Sequence, residues 1–109
     1  MQRGQYEAAL ATGPARTRRY FVLFVRPNGL SMARLGIITS KRVAPRAVDR
    51  NRAKRLVREA FRRLRHDLGG RDVVVQLRRR PGESFNAAAG TEIVKLLEEA
   101  GAKAVTGPA

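Results

Sequence analysis

Apolar residues recur along this chain at two spacings, and each spacing marks a different kind of element. Tyr6, Ala9 and Leu10 fall at i, i+3 and i+4, which predicts a short helix over residues 5–12, with Gly13 at its C-terminal cap. Residues 20–25 (Tyr-Phe-Val-Leu-Phe-Val) form an unbroken aromatic and aliphatic run and predict a strand covered on both faces. Pro27-Asn28-Gly29 supplies turn chemistry. Residues 34–39 (Arg-Leu-Gly-Ile-Ile-Thr) then read as the antiparallel partner of the first strand, with 30–33 able to contribute to the hairpin.

Residues 41–49 form a basic loop in which Pro45 interrupts regular structure. The longest periodic stretch follows. Ala53, Leu56, Val57, Ala60, Phe61, Leu64 and Leu68 repeat at three and four, predicting a major helix over 50–68 with Asp49 as its N-cap. Gly69-Gly70 ends it, and residues 72–77 (Asp-Val-Val-Val-Gln-Leu) read as a short buried strand. After an exposed basic turn at 78–82, Ser84 or Thr91 starts a last helix reaching about Ala100, packing through Ile93, Val94 and Leu97. The order helix, strands, long helix, strand, helix defines an α+β domain over residues 5–100. Residues 101–109 are expected to form a tail without regular structure. Joining residues 34–39 to 72–77 through the long helix allows those strands to be parallel neighbours.

Charge changes the picture of the long helix. The 109 residues carry 23 Lys and Arg against 9 Asp and Glu, a net charge of +14. An excess of that size repels itself in the folded chain and calls for an anionic partner. It is also concentrated: residues 41–65 hold 11 basic side chains against Asp49 and Glu59. At about 100° per residue, Asn51, Arg55, Arg58, Arg62 and Arg65 line up as one ridge beside the apolar stripe, with Lys54 in the same sector. Stacked like charges destabilise an isolated helix by a few tenths of a kcal/mol per pair, roughly, so the ridge suggests a partner rather than a merely solvated face. Arg50, Asn51 and Arg52 cluster at the predicted helix start, where free N–H groups and the helix dipole also favour anionic oxygens. The deep, narrow groove of A-form RNA excludes a helix, but a folded RNA can be gripped by its backbone. A helix-turn-helix companion is missing, which lowers the DNA reading.

Catalytic chemistry is sparse. The single histidine, His66, reads as a surface or capping residue, and the three Asp and six Glu show no paired-carboxylate or metal-ligating spacing. With no cysteine there is neither a disulfide framework nor a thiolate metal site. No apolar run is long enough for a membrane span and no signal-peptide pattern opens the chain, so a cytoplasmic protein is expected.

Residues 34–42 (Arg-Leu-Gly-Ile-Ile-Thr-Ser-Lys-Arg), a seven-residue gap, and residues 50–61 (Arg-Asn-Arg-Ala-Lys-Arg-Leu-Val-Arg-Glu-Ala-Phe) closely resemble the signature of the bacterial ribonuclease P protein subunit. The resemblance covers about residues 5–100. It implies an α-β-β-β-α-β-α sandwich with a left-handed βαβ crossover, against the usual rule. It also implies that catalysis belongs to a large RNA requiring Mg²⁺, with the protein assisting removal of the 5′ leader from precursor tRNA. Carried over by position, Arg50, Asn51, Arg52, Lys54, Arg55, Arg58, Arg62 and Arg65 would face the catalytic RNA. Tyr6, Leu10, Phe24, Ser40, Lys41 and Arg42 would line or flank a cleft for the leader. No catalytic residue and no metal ligand is assigned to the protein. Leu10 stands where an aromatic is common in the family and no basic segment precedes the first helix, so leader stacking and N-terminal RNA contacts are expected to be weaker. A structural, ribosome-type RNA-binding protein of similar fold is the alternative, and a self-sufficient nuclease is disfavoured by the dispersed carboxylates.

Overall fold

An unbroken run of three valines marks one of the two inner strands of the sheet. In the computed structural model, which describes residues 1–82 and 85–105, Val73, Val74 and Val75 are all fully buried, so both faces of their strand are covered. In chain order the elements are α1 (Arg3–Ala11), β1 (Arg16–Thr17), β2 (Phe21–Pro27), β3 (Arg34–Ile38), α2 (Ala47–Leu64), a 3₁₀ turn (Arg65–Leu68), β4 (Arg71–Leu77) and α3 (Phe85–Val105). This is the expected α-β-β-β-α-β-α order. The four strands form one mixed sheet ordered β1-β2-β4-β3.

That order corrects the hairpin expectation. β2 pairs antiparallel with β4, from Phe21 opposite Leu77 to Pro27 opposite Arg71, and β3 pairs parallel with β4. β2 and β3 are therefore separated by one strand, about 10 Å apart at ordinary sheet spacing. Residues 28–33 bridge that gap, which a two-residue hairpin turn does not. Asn28 fixes the bridge: its backbone N–H donates to Gly70 O (3.0 Å) and its side-chain amide to Asp72 Oδ1 (3.1 Å). The parallel β3–α2–β4 connection matches the expectation from the long helix.

Each face of the sheet has its own core. Phe21, Leu23, Val73, Val75 and Leu77 meet Ala53, Val57 and Ala60 of α2 and Phe85, Ile93, Leu96 and Leu97 of α3. Tyr20 meets Phe85 edge-on at 5.1 Å between ring centroids. The Glu92 carboxylate on α3 accepts from the N–H groups of Tyr20 and Phe21, both at 2.9 Å, tying that helix to the start of β2. On the opposite face α1 covers a smaller cluster of Ala9, Phe24 and Val74, flanked by Tyr6, Val22 and Ile38.

Helix boundaries differ from the sequence expectation at both ends of α2 and in α3. α2 begins at Ala47, two residues after Pro45, with Arg46 as its extended N-cap. Asp49 consequently lies inside the first turn, buried and hydrogen-bonded by Arg52 Nη1 at 3.4 Å, rather than capping it. Near its other end the helix tightens into the 3₁₀ turn, which still buries Leu68. Thr91 lies within α3, donating to Ala87 O at 3.1 Å, so it does not start that helix; Ser84 lies outside the described residues. α3 runs on to Val105, past the expected end at Ala100, and the remainder of the expected tail, 106–109, lies outside the described residues.

Candidate nucleic-acid interface

The eight basic or polar residues expected to face an RNA divide into two groups. Arg50 turns back along its own chain: Nη1 donates to Ala44 O at 2.8 Å and Pro45 O at 2.9 Å, tying down the loop that leads into α2. Arg52 turns the other way. Its guanidinium reaches Asp49, Asn86 Oδ1 (3.4 Å) and Gly82 O (3.5 Å), and lies 5.6 Å from the centre of the Phe85 ring. Both arginines therefore have structural tasks at the start of α2. Lys54 is half-buried on the same helix.

On the outward-facing side of the same helix the arrangement changes. Asn51, Arg55, Arg58 and Arg62 are exposed and together line a shallow depression of about 410 Å³ on the outer side of α2. The i, i+3 and i+4 spacing puts these side chains on one face because the buried residues Ala53, Val57 and Ala60 hold the other against the core. Glu59 also lines the depression. Three guanidinium groups, an amide and one carboxylate converge there. Such a surface can bind phosphate oxygens bidentately while Asn51 and Glu59 contribute neutral and accepting contacts.

Arg65 stands beyond the ridge, at the start of the 3₁₀ turn. With His66, Phe61, Gly69, Ser31, Met32 and Ala33 it lines a second hollow of about 200 Å³. Sequence reasoning missed this hollow because it treated the 30–33 segment as hairpin; the 65 % exposure of Met32 emerges only from the fold.

Of the residues expected to meet a single strand, Tyr6 and Leu10 lie on α1 and Phe24 lies beneath it. Tyr6 lies over Gly36 of β3 so closely that a Cβ on that glycine would come within 2.5 Å of the tyrosine ring. Phe24 is buried at 6 % exposure and packs with Ala9 and Val74, so it serves as core and its ring offers no open face. Leu10 is exposed one helical turn from Tyr6. Ser40, Lys41 and Arg42 are exposed just past the end of β3, where Ser40 folds the loop by accepting from Val43 N–H through Oγ (3.1 Å) and from Ala44 N–H through its carbonyl (3.0 Å). Residues 40–42 are thus exposed, while Tyr6 is half-buried against the small cluster that contains Phe24.

Asp72 and Arg34 organise this side of the sheet. The guanidinium binds the buried carboxylate through two bonds, Nε to Oδ1 at 2.7 Å and Nη2 to Oδ2 at 2.9 Å. Those bonds hold the Asp72 carboxyl below the ordinary carboxylate range against the opposing effect of burial, and they raise Arg34 in turn. Among the described residues no three His, Asp or Glu side chains cluster as a dedicated metal site requires.

A mixed sheet with a guanidinium-lined helix packed on one face, and no carboxylate cluster for cleavage among the described residues, defines an α+β protein with an exposed cationic surface. The family described as Ribonuclease P matches residues 1–101 of the chain. The ribonuclease P protein component of Azoarcus sp. (strain BH72) is 39 % identical over 92 residues, 84 % of this chain and 77 % of that protein. That of Ralstonia pickettii (strain 12J) is 48 % identical over 73 residues, 67 % of this chain but only 52 % of the relative. The structure of the RNase P protein from Thermotoga maritima, in complex with 1-(4-fluorophenyl)-2-thiourea, superposes with a TM-score of 0.75 at 33 % identity, covering 88 % of this chain and 94 % of that one. The chain belongs to the ribonuclease P protein family, whose members are the protein component of an RNA–protein endoribonuclease. An RNA partner follows from that membership.

Proposed function

We propose that this chain is the protein subunit of a ribonuclease P that removes the 5′ leader from precursor tRNA, and that it works in the cytoplasm. Its catalytic RNA partner lies along Asn51, Arg55, Arg58 and Arg62. The leader passes on the α1 side, near Tyr6, Leu10 and the 40–42 loop. Mg²⁺ belongs in this reading to the RNA partner, and the protein's contribution is electrostatic: fixed guanidinium groups hold phosphates that would otherwise repel one another. The observation that carries the reading is the contrast along α2. Arg50 and Arg52 make specific intramolecular bonds, whereas Arg55, Arg58 and Arg62 converge on an exposed depression. No helix of the described residues is long and apolar enough to cross a membrane.

The test is reconstitution. The purified protein should leave precursor tRNA intact by itself, and should increase cleavage at the mature 5′ end when combined with its ribonuclease P RNA and Mg²⁺. Correct processing by RNA-free protein would contradict the proposal. So would retention of ribosomal RNA in place of ribonuclease P RNA when the chain is purified from its native cell.

A further inference from the structure

We infer that the hollow between the 28–33 loop and the C-terminal end of α2 receives one unpaired RNA base, with the phosphate of that nucleotide on Arg65 and His66. The inference rests on the reading of α2 as an RNA-binding ridge and extends it to a distinct subsite. The hollow measures about 200 Å³. Met32, Ala33 and Phe61 give it apolar walls, while Arg65 and His66 stand at the side nearest the ridge sequence.

Its walls are fixed before any ligand arrives. The Asn28 side-chain amide donates to Met32 O at 3.1 Å and to Asp72 Oδ1 at 3.1 Å, and Asn28 Oδ1 accepts from Leu30 N–H at 2.8 Å. Asp72 is itself held by both bonds from Arg34. On the other side the helix end approaches the loop backbone to backbone. A Cβ at Gly69 would lie 3.0 Å from Ser31 O, and one at Gly70, whose φ of +78° suits glycine, 3.1 Å from Leu30 O. The loop thus holds Met32 with 65 % of its surface in water beside a cavity that the protein's own side chains leave unfilled.

Charge identifies the occupant. None of the residues lining the hollow is acidic, Arg65 is cationic, and the His66 imidazole can donate a hydrogen bond. Arg62 of the first depression precedes Arg65 by three residues, about 4.5 Å of helix rise, so the cationic path continues from the ridge to this mouth. A nucleotide combines a flat apolar base with an anionic phosphate, which matches an aromatic and thioether wall beside a guanidinium and an imidazole. A purely apolar peptide segment would make no use of Arg65 and His66.

Footprinting of the reconstituted protein–RNA complex tests this. Dimethyl sulfate and a carbodiimide report unpaired bases, and hydroxyl radicals report the backbone. The wild-type complex should show backbone protection along the ridge contact and protection of one adjacent unpaired base. Met32→Ser and Phe61→Leu should each expose that base while keeping the backbone footprint, with affinity falling roughly 5- to 140-fold, since one base stack is worth about 1–3 kcal/mol and each 1.4 kcal/mol is tenfold. Arg58→Ala, by contrast, should weaken all protections together. Identical base protection in wild type and Met32→Ser, with RNA still bound, would overturn the subsite and return the hollow to a protein contact. No backbone footprint from wild-type protein would overturn the ridge reading and the subsite with it.

Discussion

The first turn of α2 and the ridge beyond it carry the same kind of side chain and put it to different uses. Arg50 and Arg52 close hydrogen bonds to carbonyls and to Asp49 and Asn86 within the chain. Arg55, Arg58 and Arg62, on the same helix, surround an open depression whose only acid is Glu59. Positive charge by itself therefore does not identify an RNA contact. What distinguishes the two regions is whether the geometry already supplies the arginine with an acceptor.

The largest loss of stability should come from the internal arginine network nearest the sheet centre. Asp72→Ala removes both acceptors of Arg34 and one partner of Asn28, and should cost about 1–3 kcal/mol in denaturant unfolding. The pH dependence sharpens this. Because the folded-state pKa of Asp72 is depressed, its contribution is fully present above the unfolded value of 3.8 and is lost as pH falls through the folded one. The stability gap between wild type and Asp72→Asn should narrow as pH is lowered below 3.8; a constant gap would mean that the ionised carboxylate is not what matters.

Next in size is the small cluster under α1. Tyr6→Ala removes a half-buried ring that packs on Gly36. In the reconstituted holoenzyme it should lower the affinity for precursor tRNA by about 1 kcal/mol while leaving mature tRNA unaffected. An unchanged ratio in a folded variant would make Tyr6 a core residue like Phe24. Smaller still, and purely structural, is the first turn of α2. Arg50→Ala and Arg52→Ala should each cost about 1 kcal/mol or less of stability, given their partial exposure. If instead they weaken RNA binding with stability untouched, the division of α2 into two regions fails.

How much of this was legible in the sequence depends on how local each feature is. The apolar stripe of α2 and its ridge are set by residues three and four apart, so periodicity located both, and the spacing of Arg55, Arg58 and Arg62 needed no tertiary information. Strand neighbours are non-local. Nothing in residues 34–39 says that β4, more than thirty residues later, will insert beside β2, although the uninterrupted Val73–Val75 run marks a strand covered on both faces. The start of α2 was misplaced because Pro45 was read as a breaker, whereas the helix begins two residues after it. Phe24 and Tyr6 looked equivalent as aromatic residues on apolar faces. Only the position of α1 separates them, burying one ring and setting the other over a glycine. The destinations of Arg50 and Arg52 were equally hidden, since their acceptors include backbone carbonyls that no composition rule reveals.

The smallest effect on stability should belong to the ridge, and that is where the account is most exposed. Arg58→Ala should unfold within about 0.5 kcal/mol of wild type, because its side chain is exposed and outside the core. The decisive measurement is the affinity of wild-type and Arg58→Ala protein for ribonuclease P RNA across a series of salt concentrations. Loss of one phosphate contact should weaken binding and make the slope of log K against log salt shallower by about 0.7–0.9. A parallel salt dependence with unchanged affinity, in a variant as stable as wild type, would contradict the assignment of the α2 ridge to RNA.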